Sequence, residues 1–312
     1  MLKSLRVTKL ADFKGKPEIR NNLAVYIKSC AKQNKPLDHC LFYGLPGTGK
    51  TSLAHIIANE LNHKIRVIQG NGIQRNIDIV NLAMTLTEFD ILFIDEIHGI
   101  NQQCVELLYS IMEDFVIDIA LGKDFNSKIT RIHVPHFTLI GATTKLGKID
   151  QPLIDRFGII INLKTYDEAS ILEILKQSMV QLELNLTDEE LLLLAKNSKG
   201  IPRNANRLIS RVKDFRIFNP QTSIKRILKH LEIVEQGMNI DDLTYLRALH
   251  NLKRPVGLRT IAQMINIDEN TIETKIEPFL IFNQFIEKTA SGRGLTNNGN
   301  KFVNKHATQY KE

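Results

Sequence analysis

The sequence is poor in the features that mark secreted, metal-binding or membrane proteins. It has no tryptophan and only three cysteines, Cys30, Cys40 and Cys104, whose spacing matches no metal or redox motif and whose odd number argues against a disulfide framework. No run approaches the roughly 18 apolar residues of a membrane helix, and the N-terminus lacks the apolar segment of a signal peptide. We therefore expect a soluble, cytoplasmic protein without a membrane partner, whose reduced thiols pack in the core.

The remaining composition is that of an ordinary globular protein. Hydrophobic residues make up 43% and charged residues 24%, which excludes disordered, collagen-like and coiled-coil classes. The 312 residues suffice for two or three domains. The net charge of +7 favours an anionic partner such as nucleic acid, but no segment forms a basic tail, so charge does not locate a binding surface.

Residues 1–165 predict an α/β domain with a parallel sheet, because short apolar runs alternate with amphipathic stretches. The expected strands, each buried on both faces, are Cys40–Tyr43, Lys64–Ile68, Ile91–Ile94, Phe137–Ile140 and Ile159–Leu163. The expected helices are Ser52–Leu61, Ile77–Leu86 and Gln103–Glu113. Residues of about 115–135 alternate with period two on either side of a turn at Lys123–Ser127, which predicts an inserted antiparallel hairpin.

The rest of the chain predicts two smaller domains. Residues 166–236 are helical in pattern, with Thr187 as an N-cap and Gly200 as a helix stop. In residues 237–312, three short helices precede a hairpin with a glycine-containing turn, which is typical of a winged helix-turn-helix. These helices are expected at Leu243–Leu249, Leu258–Ile265 and Thr271–Ile281.

The segment Gly44-Leu-Pro-Gly-Thr-Gly-Lys-Thr51 fits the phosphate-binding motif G-x-x-x-x-G-K-[ST]. It lies between a predicted strand and a predicted helix, which is the context that this motif requires. Gly44, Gly47 and Gly49 let successive backbone N–H groups surround phosphate oxygens, and Lys50 places its charge on the β- and γ-phosphates. The hydroxyl of Thr51 is suited to Mg²⁺. The motif therefore predicts binding of ATP with Mg²⁺.

Two acids end a later apolar strand. Asp95 suits Mg²⁺ coordination through water, and Glu96 is placed to act as a general base for the attacking water. An acidic pair at a strand end is otherwise a solvated turn, but the upstream phosphate-binding motif favours the catalytic interpretation. His98, which begins a loop, is interpreted as a packing or hydrogen-bonding residue.

Three further polar residues are candidates for contacts to the phosphates. Thr144, or alternatively Thr143, ends a strand that we expect beside Asp95, where a hydroxyl can sense the γ-phosphate. Arg156 precedes the fifth strand and is suited to stabilise phosphoryl charge in its own subunit or in a neighbour. Arg203 opens a helix in the second domain and can reach the nucleotide from there. Without the other motifs, either arginine would be interpreted as a surface salt bridge, which for Arg156 means one with the adjacent acid.

These motifs, in this order and spacing, resemble those of the AAA+ ATPases and, among them, of the bacterial Holliday-junction branch-migration motors. The similarity extends over nearly the whole chain and includes DEIH, the hairpin between MEDF and DIALG, GIPRNANRL, and PVGL with a wing that ends Gly-Arg-Gly. The resemblance implies an AAA+ P-loop domain at 1–165, a helical lid domain at 166–236 and a winged-helix DNA-binding domain at 237–312.

The resemblance also implies roles for individual residues. Nucleotide contacts are implied for Leu5, Arg6, Gly47, Lys50, Thr51, Ser52, Glu113, Asp114, Phe115, Tyr166 and Arg203. Arg156 is implied as an arginine finger, and Lys288 and Arg293 as DNA-contacting residues of the wing. Lys16 departs from the glutamine that is usual in the family beside the adenine.

The implied function is that of an ATP hydrolase, a homohexameric ring that pumps duplex DNA at Holliday junctions during recombinational repair. The implied protein partners are RuvC, in the resolving complex, and RuvA, which we expect to dock on the 115–134 hairpin through exposed Val116, Ile119 and Leu121. A hairpin folded on its own core is the alternative. Two other functions stay open: a clamp-loader-like AAA+ ATPase, which would lack the winged helix, and an ATP-switched DNA-binding regulator, which would not need Glu96.

Overall fold

In the computed structural model of the protein, residues 5–121 and 128–306 are described, and for 119–121 and 128–129 only the backbone is. The chain divides into two compact units. The first contains the residues up to Leu184 together with Ile201–Asn206, and the second contains Asn185–Gly200 and the residues from Arg207 onwards. Within the described ranges, no helix is long and apolar enough to cross a membrane.

The first unit is built on a five-stranded parallel sheet, as predicted. The strands of this sheet are β1 (Cys40–Tyr43), β2 (Ile65–Gln69), β3 (Ile91–Asp95), β6 (Thr138–Thr143) and β7 (Ile159–Asn162). Two further strands, β4 (Val116–Leu121) and β5 (Lys128–His133), pair only with each other. Its helices are α1 (Pro17–Gln33), α2 (Lys50–Leu61), α3 (Asn76–Ala83), α4 (Gln102–Glu113), α5 (Gln151–Ile154) and α6 (Glu168–Gln181). The sheet order β2-β3-β6-β1-β7 places the carboxyl ends of β3 and β6 side by side.

Burial on both faces holds for the three central strands and is wrong for the two edge strands. Val67 on β2 is 51% exposed and Ile160 on β7 is 48% exposed. Each of these strands has a neighbour on one side only. Apolar composition does not distinguish an edge strand from a central one, so the sequence pattern overstated their burial.

Alternate side chains of the central strands pack into two cores, one on each face of the sheet. Leu92 and Leu139 belong to the core that includes residues of α3 and α4. Phe93 and Ile140 belong to the core that includes residues of α1 and α2. The three cysteines are free and buried in these cores, which confirms their interpretation as core residues: Cys30, Cys40 and Cys104.

The insertion after α4 is the predicted antiparallel hairpin of β4 and β5. The strands are joined by an ion pair in which the guanidinium of Arg131 donates twice to the carboxylate of Asp118, at 2.8 Å each. Such a bidentate pair stabilises the hairpin and also fixes the register of its two strands.

The expected exposed patch on this hairpin is wrong at Val116, which is 8% exposed. β4 follows α4 in the chain, and the two elements are in contact. The side chains of Ile119 and Leu121 lie outside the described residues, as does the predicted turn Lys123–Ser127.

The second unit contains the remaining elements. They are α7 (Asp188–Lys196), most of α8 (Pro202–Phe218), α9 (Ile224–His230), α10 (Ile240–Leu252), α11 (Leu258–Ile265), α12 (Glu269–Thr271), α13 (Glu277–Phe282), β8 (Ile286–Thr289), β9 (Gly292–Leu295) and α14 (Asn297–His306). Thr187 caps α7 as predicted, since its hydroxyl accepts from the Glu190 amide at 3.2 Å. The predicted stop at Gly200 is wrong, because α7 ends at Lys196 and Gly200 belongs to the following turn.

The three helices and hairpin of the winged helix are confirmed. The helix expected at 271–281 is interrupted by a π-helical turn, Ile272–Ile276, just before Pro278. Proline has no N–H group to donate to the preceding turn, which accounts for the break in regular α-helical bonding.

Candidate active site

The phosphate-binding motif forms the loop between β1 and α2. Gly44 and Gly47 have φ angles of 144° and 82°, which residues with a side chain rarely adopt. A Cβ on Gly44 would lie 2.3 Å from the carbonyl oxygen of Leu163, and one on Gly47 would lie 2.7 Å from the Cβ of Arg203. α2 then begins at Lys50 without a side-chain cap. The first N–H groups of α2 are therefore oriented to bind an anion.

Lys50 lies beneath this loop and is only 6% exposed. Its Nζ donates to the carbonyl oxygens of Gly44 at 2.8 Å and Leu45 at 3.1 Å. Burial lowers the pKa of Lys50, and the carboxylates of Glu96 and Asp95 act in the opposite direction. The ammonium group is thus held at the base of the loop, close to two acids.

The two acids occupy the end of β3, as predicted. One oxygen of Asp95 accepts from Nε2 of Gln69 on the neighbouring strand β2 at 3.4 Å. Glu96 follows with φ 49° and ψ 52°, an uncommon conformation for a residue with a side chain. Its carboxylate accepts from the amide and from the hydroxyl of Thr144, each at 3.0 Å. This backbone conformation and these bonds fix the direction of the carboxylate.

The two threonines after β6 make different contacts. Thr144 binds Glu96, whereas the buried hydroxyl of Thr143 lies 2.9 Å from Nδ1 of His98. The same nitrogen of His98 is 3.2 Å from a carboxylate oxygen of Glu96. Burial lowers the pKa of His98, and Glu96 opposes this effect. His98 is therefore a hydrogen-bonding residue, and Thr144 is the threonine that lies next to the proposed general base.

The phosphate-binding loop, Lys50 and the two acids line a cavity of about 360 Å³. Its wall comes from the N-terminal segment, the phosphate-binding loop, the end of β3 and the start of α8. The lining residues are Leu5, Arg6, Pro46, Gly47, Gly49, Lys50, Thr51, Ser52, Asp95, Glu96, Pro202, Arg203 and Asn206. The amide of Arg203 donates to the carbonyl oxygen of Gly47 at 3.2 Å, which ties the start of α8 to the loop.

Two polar residues near the cavity were not predicted. Asn206 lines it one helical turn after Arg203, a spacing that places both on one face of α8 and could have identified it. Its Oδ1 accepts from the hydroxyl of Ser178 at 2.8 Å. Thr48 is fully buried within the loop, and its hydroxyl donates to the carbonyl oxygen of Leu45 at 2.9 Å. Nothing in the motif marks this second threonine.

Tyr166 supports the loop from outside the cavity. Its hydroxyl donates to the carbonyl oxygen of Thr48 at 3.1 Å, and burial raises its pKa. The ammonium group of Lys16 lies 4.5 Å from the centre of the Tyr166 ring and donates to the carbonyl oxygen of Thr165 at 3.0 Å. Lys16 and Tyr166 therefore form one contact beside the loop.

Arg156 does not line this cavity. Its guanidinium lies 3.1 Å from the carboxylate of Glu113 and 4.3 Å from the centre of the Tyr109 ring. The carboxylate of Asp155 accepts from Nε2 of the Gln151 side chain at 2.6 Å instead of pairing with the neighbouring Arg156. The ion pair expected as the alternative to a finger is thus absent, and the observed pair is with Glu113.

Glu113, Asp114 and Phe115 are also separate from the cavity. Asp114 is the C-cap of α4, and its backbone amide donates to the carbonyl oxygen of Ser110. The ring of Phe115 packs 4.6 Å from that of His136 and 5.8 Å from that of Phe137. Arg156 therefore contacts Glu113, and neither Arg156 nor residues 113–115 line the cavity at the phosphate-binding loop.

Lys288 and Arg293 form an ionic cluster with the helices of the winged helix. Arg293 donates to Glu277 at 2.9 Å and to Glu273 at 3.0 Å. Lys288 lies 2.5 Å from the other oxygen of Glu277, and the hydroxyl of Tyr245 donates to Glu277 at 2.8 Å. Burial raises the pKa of Glu277, but its hydrogen bonds outweigh burial and leave the pKa below its ordinary value. Both wing cations are therefore already bound to acids.

Three domain families match successive parts of the chain. They are the Holliday junction DNA helicase RuvB P-loop domain at residues 5–163, the RuvB AAA lid domain at 166–240 and the RuvB C-terminal winged helix domain at 235–304.

Whole proteins match with similar coverage. The Holliday junction branch migration complex subunit RuvB of Ureaplasma parvum is 48% identical over 94% of both chains, and that of Mycoplasma genitalium is 42% identical over 94% of this chain and 95% of its own. The solved Thermotoga maritima RuvB Holliday junction branch migration motor is 32% identical, with a TM-score of 0.85 over 99% of both chains. Because three consecutive domains and nearly the full length agree, the chain belongs to the RuvB family.

Proposed function

We propose that this protein is an ATP-hydrolysing motor that drives branch migration at Holliday junctions by moving duplex DNA through a homohexameric ring. The observation that carries the proposal is the cavity in which Lys50, Thr51, Asp95, Glu96 and Arg203 meet. Hydrolysis of ATP requires phosphate-binding groups, a metal site and a group that activates water. The names of the relatives support Holliday junctions as the DNA substrate.

The donor set of the cavity fits ATP with Mg²⁺. The amides at the start of α2 would bind phosphate oxygens, and Lys50 would exchange its carbonyl partners for the β- and γ-phosphates. Mg²⁺ would be held by the hydroxyl of Thr51 and, through water, by Asp95, and would neutralise charge on the phosphates. Arg203 would contact the γ-phosphate from the start of α8.

Glu96 would act on the attacking water. Its carboxylate accepts a proton while the water oxygen bonds to the γ-phosphorus, and the bond to the bridging oxygen breaks to release ADP and phosphate. Thr144 holds this carboxylate by two hydrogen bonds, so the base has a defined orientation before the nucleotide binds.

Arg156 and residues 113–115 would serve the site of the adjacent subunit. None of these residues lines the cavity of its own chain, which supports a role at the site of a neighbour. Glu113 would hold Arg156 until that interface forms. A ring of identical subunits then completes each site with an arginine from the next.

We also propose that RuvA docks on the 115–134 hairpin and that RuvC joins the complex during resolution. Leu121→Ser should remove stimulation of ATP hydrolysis by RuvA while basal hydrolysis stays unchanged. Met84→Ser, which alters an apolar residue directly after α3 that is 62% exposed, is the matched control. Full stimulation of the Leu121 variant, or loss of basal hydrolysis as well, would remove the hairpin from this role.

Two observations oppose the other functions. A clamp-loader-like ATPase has no use for the winged helix, whose helices and hairpin this chain contains. A regulator that uses ATP only as a switch has no need for Glu96, which here lines the cavity and is fixed by Thr144.

The deciding experiment measures ATP turnover with and without duplex DNA, together with branch migration of a synthetic four-way junction in the presence of RuvA. We expect Mg²⁺-dependent hydrolysis, stimulation by duplex DNA and conversion of the junction to duplex products. Glu96→Gln should abolish both activities. Hydrolysis that is indifferent to DNA, with no junction movement, would contradict the proposal.

A further inference from the structure

The side chain of Arg156 lies against one face of α4. Its Cζ is 4.3 Å from the centre of the Tyr109 ring, and its Nη2 donates to a carboxylate oxygen of Glu113 at 3.1 Å. Tyr109 and Glu113 are four residues apart, a spacing that places two side chains on the same face of a helix. The guanidinium is therefore held by an aromatic ring and by an acid, which differ in how a phosphate would affect them.

The contact with Glu113 is the exchangeable one. The side chain of Glu113 is 55% exposed, and an exposed ion pair contributes little net stability. A phosphate offers a guanidinium the same kind of anionic, bidentate partner as a carboxylate does. The Tyr109 ring attracts the cation through its face and carries no charge with which a phosphate competes. A phosphate can therefore replace Glu113 while Arg156 stays against Tyr109.

Tyr109 is itself fixed at its hydroxyl end. The hydroxyl donates to a carboxylate oxygen of Asp150 at 2.5 Å, and Nε2 of Gln102, at the start of α4, donates to the same oxygen at 3.2 Å. Burial and the hydrogen bond to Asp150 raise the pKa of Tyr109 to about 12. The hydroxyl therefore keeps its proton near neutral pH and remains the donor, which holds the ring in place beneath Arg156.

Asp150 connects Tyr109 to the segment that carries Arg156. It occupies the N-cap position of α5, where an aspartate usually accepts from an amide of the first helical turn. Among the described residues it makes no such cap, and its carboxylate binds α4 instead. The same segment is fixed by Leu153 and Phe157, which are buried in a core with residues of α4, and Nη1 of Arg156 donates to the carbonyl oxygen of Pro152 at 2.8 Å.

We propose that Tyr109, anchored by Asp150, is a positioning residue that holds the guanidinium of Arg156 toward the ATP site of the neighbouring subunit. The inference rests on the proposed function, because it names the residues that prepare the arginine finger of that motor. A guanidinium that is already held loses less conformational freedom when it binds the γ-phosphate. Tyr109 does not line the cavity of its own chain, so its loss should affect the rate and not the affinity for ATP.

The first test is steady-state ATP hydrolysis by the full-length chain. Tyr109→Leu should lower kcat roughly fivefold, the rate equivalent of a partly exposed cation–π contact, while KM for ATP stays unchanged. Tyr109→Phe keeps the ring and loses the bond to Asp150, so its kcat should lie between those of the leucine variant and the unaltered protein. Tyr26→Leu removes an exposed tyrosine of α1 and is the matched control, which should keep the unaltered kcat.

The second test distinguishes positioning of the arginine from a general loss of structure. A chain with Lys50→Ala supplies only an intact arginine, and a chain with Arg156→Ala supplies only an intact phosphate-binding loop. The two chains are mixed, and ATP hydrolysis is measured in rings shown to contain both. Tyr109→Leu is then added to one chain or to the other. It should lower hydrolysis roughly fivefold on the Lys50→Ala chain, whose arginine it positions, and should have no effect on the Arg156→Ala chain.

The outcomes separate this inference from the function on which it rests. If the mixture with unaltered Tyr109 regains no hydrolysis, the action of Arg156 across the interface is refuted. If that mixture is active but Tyr109→Leu has the same effect on either chain, or no effect on either, only the positioning role of Tyr109 is refuted. A rise in KM for ATP with unchanged kcat would also overturn it, because such a change would assign Tyr109 to nucleotide binding.

Discussion

Glu96 and Thr144 are bound to each other by two hydrogen bonds, from the threonine amide and from its hydroxyl to the same carboxylate, each at 3.0 Å. They are distant in sequence and adjacent in space because β3 and β6 pair in parallel. The proposed general base is therefore oriented by the strand next to its own.

Thr144→Val should lower kcat for ATP hydrolysis while KM for ATP changes little. The variant loses the hydroxyl and keeps the amide, and since a hydrogen bond to a charged group contributes about 1.5–3 kcal/mol, we expect a loss of at least about tenfold. Thr144→Ser retains the hydroxyl and should retain most of the rate. Steady-state kinetics decide the matter, and an unaltered kcat in the valine variant would show that this bond does not orient the base.

Lys50 and Glu96 should separate binding from hydrolysis. Lys50→Ala should lose nucleotide affinity, because its ammonium group contacts phosphates of the ground state. Glu96→Gln should bind ATP normally and hydrolyse it roughly 10²–10⁴-fold more slowly, because only proton transfer is lost. Nucleotide binding and turnover are measured on the same preparations, with Glu189→Gln on α7 as a control for loss of an exposed acid. Normal turnover by Glu96→Gln would remove this residue from its role.

Local patterns in the sequence predicted the elements that position the site. Contacts between residues that are distant in sequence could not be predicted from those patterns. The strand–loop–helix context placed Lys50, and the parallel arrangement of strands placed Thr144 beside the end of β3. The contact of Arg156 with Glu113 joins two segments that no local pattern relates. The contacts of Glu277 with Lys288 and Arg293 depend on the wing folding next to α13, so no local pattern predicted that these two cations are paired with an acid.

Loss of Arg293 should destabilise the winged helix. Arg293→Ala removes the guanidinium partner of the buried Glu277 carboxylate and leaves Lys288 and Tyr245 bound to it. Since an entirely unpaired buried charge costs about 3–5 kcal/mol, we expect a loss below that range. Hydrogen exchange of the β8 and β9 amides in the full chain reports the local free energy of unfolding, with Lys225→Ala on α9 as the control. Unchanged protection in the Arg293 variant would show that this ion pair does not stabilise the wing.

The same cluster predicts a dependence of wing stability on pH. The pKa of Glu277 is lower in the folded protein than its ordinary value of 4.5, so its stabilising contribution is present above that value and is lost as the pH falls below it. Glu277→Gln should therefore show a smaller loss of wing protection on acidification than the unaltered protein does. An equal loss in both proteins would assign the acid sensitivity to other groups.

Arg156 should act on the nucleotide of a neighbouring subunit. It is bound to Glu113 at 3.1 Å and does not line its own cavity, so its effect on hydrolysis requires another copy of the chain. Arg156→Ala and Lys50→Ala should each be inactive alone, the first for want of a finger and the second for want of phosphate binding. When they are mixed, some interfaces pair an intact loop from one with an intact arginine from the other, and partial ATP hydrolysis should return.

A mixture of the Arg156→Ala protein with a chain that carries both substitutions is the matched control for this experiment, since it contains no intact arginine and should stay inactive. Mixed rings must first be shown by differently sized tags that co-purify. If arginine served only its own subunit, every site in the first mixture would lack either the arginine or the lysine. Absence of activity in rings shown to be mixed would therefore refute action across the interface, because the loop and the finger are then required in the same chain.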